Sequence, residues 1–116
     1  MKSNLQLQGL LKELKKQSIE QNVNIWKRVA TDLEKPTRNK RIVNLSRLER
    51  FTKENEIVII PGKLLGTGEL NHKLTIAAHK VSRQAIDKIR KSDSKIYSIY
   101  DFMQKNPKGS KTRIIG

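Results

Sequence analysis

The longest uninterrupted apolar run in this chain is Ile57-Val58-Ile59-Ile60, and it stops at Pro61-Gly62. Gly66 and Gly68 follow, so IVIIPGKLLGTGEL, 57–70, holds three glycines within seven positions. A short β-branched run bounded by turn residues predicts a buried strand over 56–60. It is far shorter than the roughly 20 apolar residues needed to span a membrane. A buried strand must be covered, which calls for further strands and for helices. The glycines raise a second question, because glycine-rich loops after strands often hold phosphates. A P-loop ends in Gly-Lys-Ser/Thr and leads into a helix, whereas here Lys63 is followed by Leu64. A dinucleotide fingerprint needs a further glycine at 71, which is Asn, and 72–79 has the pattern of a strand. The glycines therefore read as a connection between strands, permitting positive φ or close backbone approach. Its N–H groups and Lys63 are left open to RNA phosphates.

The remaining elements supply the cover. Leu7, Leu10, Leu11 and Leu14 recur at helical spacing, predicting a helix over 3–17 with Ser3 and Gln6 as a capping box. Gly9 inside it costs about 1 kcal/mol relative to Ala. After a polar connector at 17–23, Asn24 is placed to cap a second helix over 25–34. Ile25, Val29, Ala30 and Leu33 form its stripe, with Trp26 at the edge. Pro36 ends that helix by excluding the α conformation at Lys35. The two helices are expected to pair as an antiparallel hairpin. A short helix from Ser46 would turn Leu45, Leu48 and Phe51 inward. HKLTIAAH, 72–79, alternates through Leu74, Ile76 and Ala78 as a second strand. Ser82 caps a helix at 83–91 with Ala85, Ile86 and Ile89 inward, and KIYSI, 95–99, is a third strand. Ser98 and Asp101 have capping-box spacing for a last helix carrying Ile99, Phe102 and Met103, which ends at Asn106-Pro107. The expected fold is mixed α/β. A helical hairpin and a basic loop, 1–50, pack on a small sheet with helical cover, 51–116, as one domain.

Charge decides the partner class. Across 116 residues, 25 Lys and Arg face 11 Asp and Glu, a net charge of +14. Alone, that charge opposes compaction; beside a polyanion it is neutralised, which makes nucleic acid the first partner to consider. The excess peaks in KPTRNKRIVNLSRLER, 35–50, where six of 16 residues are Lys or Arg and one is acidic. A charge run is usually a solvated face. This one interleaves Lys35, Arg38, Lys40, Arg41, Arg47 and Arg50 with Thr37, Asn39, Asn44 and Ser46, side chains that reach phosphate oxygens and 2′-hydroxyls. Lys108, Lys111 and Arg113 form a second centre. Five aromatics are too few for a module that stacks RNA bases on a sheet. Recognition of backbone and shape is expected, with steep salt dependence.

Other classes fare worse. A DNA-binding alternative would lay the 25–34 helix, with Lys27 and Arg28, in a major groove. A helix-turn-helix allows a turn of about 3–4 residues, and the connector here reads as seven, 17–23. His72 and His79, seven apart in a strand region, point to opposite faces and lack a further ligand cluster. They read as contacts to solvent or RNA. No Cys is present, which removes disulfides and thiolate metal sites. Asp87, Asp93 and Asp101 are scattered over helix surfaces and turns, and no G-x-S-x-G occurs. No enzyme, cofactor or metal is expected. MKSNLQLQGLLKELKK has no unbroken apolar segment and does not read as a secretory signal.

Three stretches in order carry a resemblance: VNLSRL (43–48), PGKLLGTGEL (61–70) followed by HKLTIAA (72–78), and NPKGSKTRIIG (106–116). Together they resemble the archaeal and eukaryotic large-subunit ribosomal protein eighteen, the eighteen-e family, from about residue 5 to the last residue. RNKRIVNLSRLERFTKENEIVIIPGKLLGTGEL is similar to that family's central signature. The second half resembles, more distantly, the C-terminal domain of bacterial large-subunit ribosomal protein fifteen. Lacking a long extension, the chain is most similar to archaeal members. The resemblance implies an irregular β-β-α superhelix in the C-terminal part. It implies a structural constituent of the cytoplasmic large ribosomal subunit that binds large-subunit rRNA beside other ribosomal proteins, with no small-molecule substrate. By motif match it carries RNA contact onto Arg38, Asn39, Lys40, Arg41, Asn44, Arg47, Lys63, Gly66, Gly68, Lys108, Lys111 and Arg113. Lys35, Arg50 and Lys73 complete the expected RNA-binding set.

Overall fold

The apolar run at 57–60 forms the middle of a five-stranded sheet in which every pairing is parallel. The computed structural model describes residues 5–35 and 42–115. In chain order the elements are α1 (Leu5–Gln21), α2 (Ile25–Glu34), β1 (Ile42–Asn44), α3 (Leu45–Phe51), β2 (Glu56–Leu65), β3 (Leu74–Val81), α4 (Arg83–Lys91), β4 (Lys95–Ser98), α5 (Ile99–Lys105) and β5 (Thr112–Ile114). β3 and β4 extend the sheet on one side of β2. On the other side β5 pairs with Ile57–Ile59 and β1 with Lys63–Leu65. Two short strands thus lie end to end along one edge of β2.

A parallel sheet is normally covered on both faces, and its strands then read as continuous apolar runs. Both faces are covered here. On one, Ile59 and Ala77 pack with Leu14 of α1, with Trp26, Val29, Ala30 and Leu33 of α2, and with Ile99, Phe102 and Met103 of α5. On the other, Val58, Ile60, Leu64, Ile76 and Ala78 pack with Leu45 and Leu48 of α3 and Ala85 and Ile89 of α4. The alternation of Ile59 with Val58 and Ile60 between two cores explains why this run has no polar positions. The mixed α/β expectation holds, as do α2 at 25–34 and α4 at 83–91. The Ser82 hydroxyl accepts from Ala85 N–H at 3.2 Å and that of Ser98 from Asp101 N–H at 3.1 Å.

Several expectations need correction. The polar connector at 17–23 is mostly helix. α1 continues to Gln21 and closes with Asn22 at φ +53°, where Val23 N–H reaches Ser18 O at 3.1 Å and Asn22 N–H reaches Ile19 O at 3.2 Å. That is a Schellman ending, and Asn tolerates the left-handed conformation it requires. Asn24 makes no side-chain capping bond, because its own backbone is already helical. The Ser3–Gln6 capping box falls outside the described residues. Phe51 does not turn inward but is half exposed. Two strands go unannounced by the sequence, β1 in the basic segment and β5 in the tail; each has three residues, too few to show a period.

Pro61 and Gly62 sit inside β2, where the register to β3 shifts between Ile60 and Lys63. A bulge tolerates proline because the missing N–H leaves no broken ladder bond. From Leu65 the chain returns through 66–73 to Leu74, whose strand partner is Glu56 at the start of β2. A parallel pair usually needs a longer, helical crossover. Eight residues without helix suffice here, followed by a helical crossover through α4 to β4, which gives one β-β-α unit, β2-β3-α4.

Trp26 fastens the tail. It is fully buried, its ring meets Phe102 edge-on with centroids 6.2 Å apart, and its indole N–H donates to Pro107 O at 2.6 Å. Trp26→Phe removes that donor and leaves a partly enclosed carbonyl without its partner. A loss of about 1–3 kcal/mol is expected, measured by urea denaturation.

Candidate nucleic-acid interface

The carboxyl end of the sheet carries a row of neighbouring exposed side chains. Ile42, Lys63 and Lys80 are aligned across β1, β2 and β3. All three are exposed, while the next residue on each strand, Val43, Leu64 and Val81, turns into the core. Among the described residues no carboxylate lies within ion-pairing distance of Lys63 or Lys80. Two adjacent ammonium groups without a counter-ion repel each other unless an anion lies between them. Sequence reasoning picks out Lys63 but misses Lys80, because the strand register that joins them spans 17 positions. Ile42 is also where the chain enters β1 from the basic stretch 36–41. Arg38, Asn39, Lys40 and Arg41 lie outside the described residues. Their anchors are described: Lys35, exposed at the end of α2 and 3.4 Å from Asp32, and Ile42 beside Lys63.

Next to this row stands the glycine turn. Gly66 is buried, and a Cβ there would come within 2.7 Å of Ala85 N and Gln84 Cγ at the start of α4. Gly68 has φ +97°, and a Cβ there would come within 2.6 Å of Ser46 N and Cβ. Both glycines therefore face protein, Gly68 against the basic segment itself. The Lys88 ammonium closes the turn from within the protein. It donates to Gly66 O at 2.9 Å and Gly68 O at 2.7 Å, with Glu69 at 3.4 Å. A phosphate cradle needs converging N–H groups. In this turn the carbonyls converge on a cation instead, and the following residues are extended. The nucleotide reading fails on geometry as well as on sequence.

α3 leads from this end of the sheet toward the other. Asn44 precedes it in extended conformation without a side-chain cap. Arg47 and Arg50 are exposed, and the Arg47 guanidinium lies 5.3 Å from the Phe51 ring centre. Arg113 of β5 donates to Phe51 O at 3.1 Å and to Glu56 Oε2 at 2.8 Å. The Arg113 bond, assisted by Lys53 N–H, holds the Glu56 carboxyl below its usual pKa. Arg113 is therefore committed to protein, with half its side chain still exposed. Lys73 is exposed before β3. Lys108 stands on a turn closed by Asn106, whose side chain bonds both Ser110 N–H and Ser110 O at 3.2 Å. Lys111 follows at φ +57°. Because Thr112 aligns with Ile57, six residues before Lys63 on β2, these tail lysines lie roughly 20 Å from the Lys63–Lys80 pair.

His72 is not in a strand and does not face solvent. It packs between Glu49 Oε1, 3.1 Å from Nδ1, and Thr52 Oγ1, 2.7 Å from Nε2. Among the described residues no three His, Asp or Glu gather as a metal site would require. The turn between α1 and α2 is three residues, 22–24, short enough for a helix-turn-helix, so its length does not exclude that motif. Packing does. Lys15 meets Glu34 at 3.1 Å, far from the turn, so the two helices lie side by side, whereas the DNA-reading pair crosses at about 90–120°.

The sequence profile that groups the ribosomal proteins 50S-L15 and 50S-L18e with a 60S counterpart matches residues 6–96. This chain belongs to that family. It is 41% identical over 114 residues to the "Large ribosomal subunit protein eL18" of Methanospirillum hungatei, covering 98% of this chain and 94% of that one. The protein of the same name from Methanothermobacter thermautotrophicus is 38% identical with the same coverage. That of Pyrobaculum aerophilum is 39% identical over 113 residues, 97% and 93% of the two chains. The relatives therefore span the helical hairpin, the glycine turn and the basic tail together. Among the described residues no helix is long and apolar enough to cross a membrane.

Proposed function

We propose that this family member is a structural constituent of the large ribosomal subunit and binds large-subunit rRNA with its basic segment and the carboxyl end of its sheet. The observation that carries the reading is the Lys63–Lys80 pair, exposed without a carboxylate and set beside the point where 36–41 joins β1. Arg38, Asn39, Lys40 and Arg41 would add to it from one side and Asn44 and Arg47 from the other. Lys108 and Lys111 would engage a second stretch of RNA, and Lys35, Arg50 and Lys73 contribute positive field around both. Gly66 and Gly68 serve this surface by letting the turn pack against α4 and Ser46. The mechanism is neutralisation of phosphates on a preformed shape, with counter-ion release supplying much of the affinity. No reaction is catalysed, residues 1–116 act as one unit, and the partners are rRNA and neighbouring ribosomal proteins in the cytoplasm.

The test is sedimentation of lysate from the source cells through a sucrose gradient, followed by a high-salt wash of the large-subunit fraction. Co-migration that survives moderate salt is the expected result. Protein left at the top of the gradient, or travelling with DNA, overturns the reading.

A further inference from the structure

Two of this chain's aromatics, Phe51 and Tyr100, are exposed, and Phe51 is the one without a hydroxyl. Of five, Trp26 and Phe102 are buried and Tyr97 is packed against Phe102. Phe51 is 49% exposed, although it ends a helix whose other apolar residues, Leu45 and Leu48, are fully buried. A single exposed apolar residue needs no explanation by itself. The surroundings of this one do. Arg47 lies over the ring at 5.3 Å, Arg50 is its exposed neighbour in the chain, and Arg113 is bonded to its carbonyl. One guanidinium, that of Arg47, therefore lies over the ring, and Arg113 meets the backbone of the same residue. Arg113 is held there by Glu56 at 2.8 Å, and Phe51 is held through the same bond network. Its neighbour Thr52 is buried, bonded to Leu48 O at 2.5 Å and facing His72. The ring is thus presented from a fixed backbone.

We propose that Phe51, with Arg47, is a stacking platform for one unpaired base of the bound RNA. The proposal rests on the rRNA-binding reading and adds a mode that composition argues against, since it uses a helix end rather than the sheet. A base has a π-face for the ring and for a guanidinium plane, and its phosphate finds the exposed Arg50 nearby. A protein partner would also bury Phe51, but the Arg47 guanidinium over the ring and the exposed Arg50 next to it in the chain favour a polyanion that carries flat rings. Because α3 joins the carboxyl end of the sheet to the Arg113 strand, the stacked nucleotide would lie between the two basic centres.

The test uses the full chain, deproteinised large-subunit rRNA from the same cells, and the variants Phe51→Leu, Phe51→Trp and Lys63→Ala/Lys80→Ala. Binding is measured as a function of KCl, and unpaired bases are probed with dimethyl sulfate. Phe51→Leu is expected to weaken binding roughly 5- to 100-fold without changing the slope of log K against log salt, because no charge is removed. One base protected by the wild type should become reactive. Phe51→Trp should restore both. Phe51→Leu binding like the wild type, while Lys63→Ala/Lys80→Ala loses affinity and slope, overturns the platform and leaves the RNA reading standing. If Phe51→Leu leaves RNA binding intact but lowers retention in the subunit, the occupant is a protein and the platform is again overturned. A wild type that binds no rRNA removes both readings.

Discussion

The Gly68→Val protein is expected to be less stable than the wild type by about 2–5 kcal/mol. Two costs add. A β-branched residue at φ +97° is forced into a region that L side chains avoid. Its Cβ would also stand 2.6 Å from Ser46 N and Cβ and 2.8 Å from Ser46 Cα, and most of those atoms are backbone that cannot swing away. Ser46 is further tied by its own N–H to Thr67 O at 3.0 Å, within the same turn. Relief would mean separating the turn from α3, and with it Leu45 and Leu48 from the core. For a domain whose whole stability is of order 5–15 kcal/mol, that is a large fraction, and a cooperative unfolding transition followed by circular dichroism would show it. Gly9→Ala supplies the contrast. Gly9 lies in α1 with nothing within 4 Å of an added Cβ, so alanine should gain about 0.5–1 kcal/mol. A Gly68→Val protein as stable as the wild type would mean that neither the positive φ nor the close approach to Ser46 constrains this turn.

Much of this architecture is legible in the sequence because local signals and tertiary demands agree. Val29, Ala30 and Leu33 stand on the stripe that α2 buries, and Ser82 and Ser98 cap the helices that their spacing predicts. The misreadings occur where one residue type serves two structures. Asn22 reads as loop because Asn is common there, yet it ends a helix in the left-handed conformation. Gly62 reads as part of the turn and belongs to a bulge inside β2. β1 and β5 exist only because β2 offers them an edge, and nothing within three residues announces that. The candidate interface divides in the same way. The charge of 35–50 is plain in the sequence, while the pairing of Lys63 with Lys80 depends on register. The Phe51 surroundings assemble residues 47, 51 and 113, and the last is brought in by a strand that no local pattern signals.

Replacing Arg38, Lys40 and Arg41 together by alanine is expected to separate binding from folding. The three charges fall between Lys35 and Ile42, two positions whose structure is set by elements on either side: α2 is complete at Glu34, and Ile42 is fixed by its alignment with Lys63. The described core residues all come from elements outside 36–41 and pack on one another, so the unfolding midpoint should stay within the range of ordinary surface changes, about 0.5 kcal/mol. Binding should respond differently. Each phosphate that is no longer neutralised takes roughly 0.7–0.9 from the slope of log K against log salt. Three such phosphates lower the slope by about 2–3 and the affinity near 0.1 M salt by about two to three orders of magnitude. The slope matters more than the affinity, because a misfolded protein would bind less at all salt concentrations alike. An unchanged slope would mean that these side chains do not meet phosphates. A fall in the unfolding midpoint would instead make 36–41 part of the fold, with the Lys63–Lys80 row left as the main anion-binding surface at that end of the sheet.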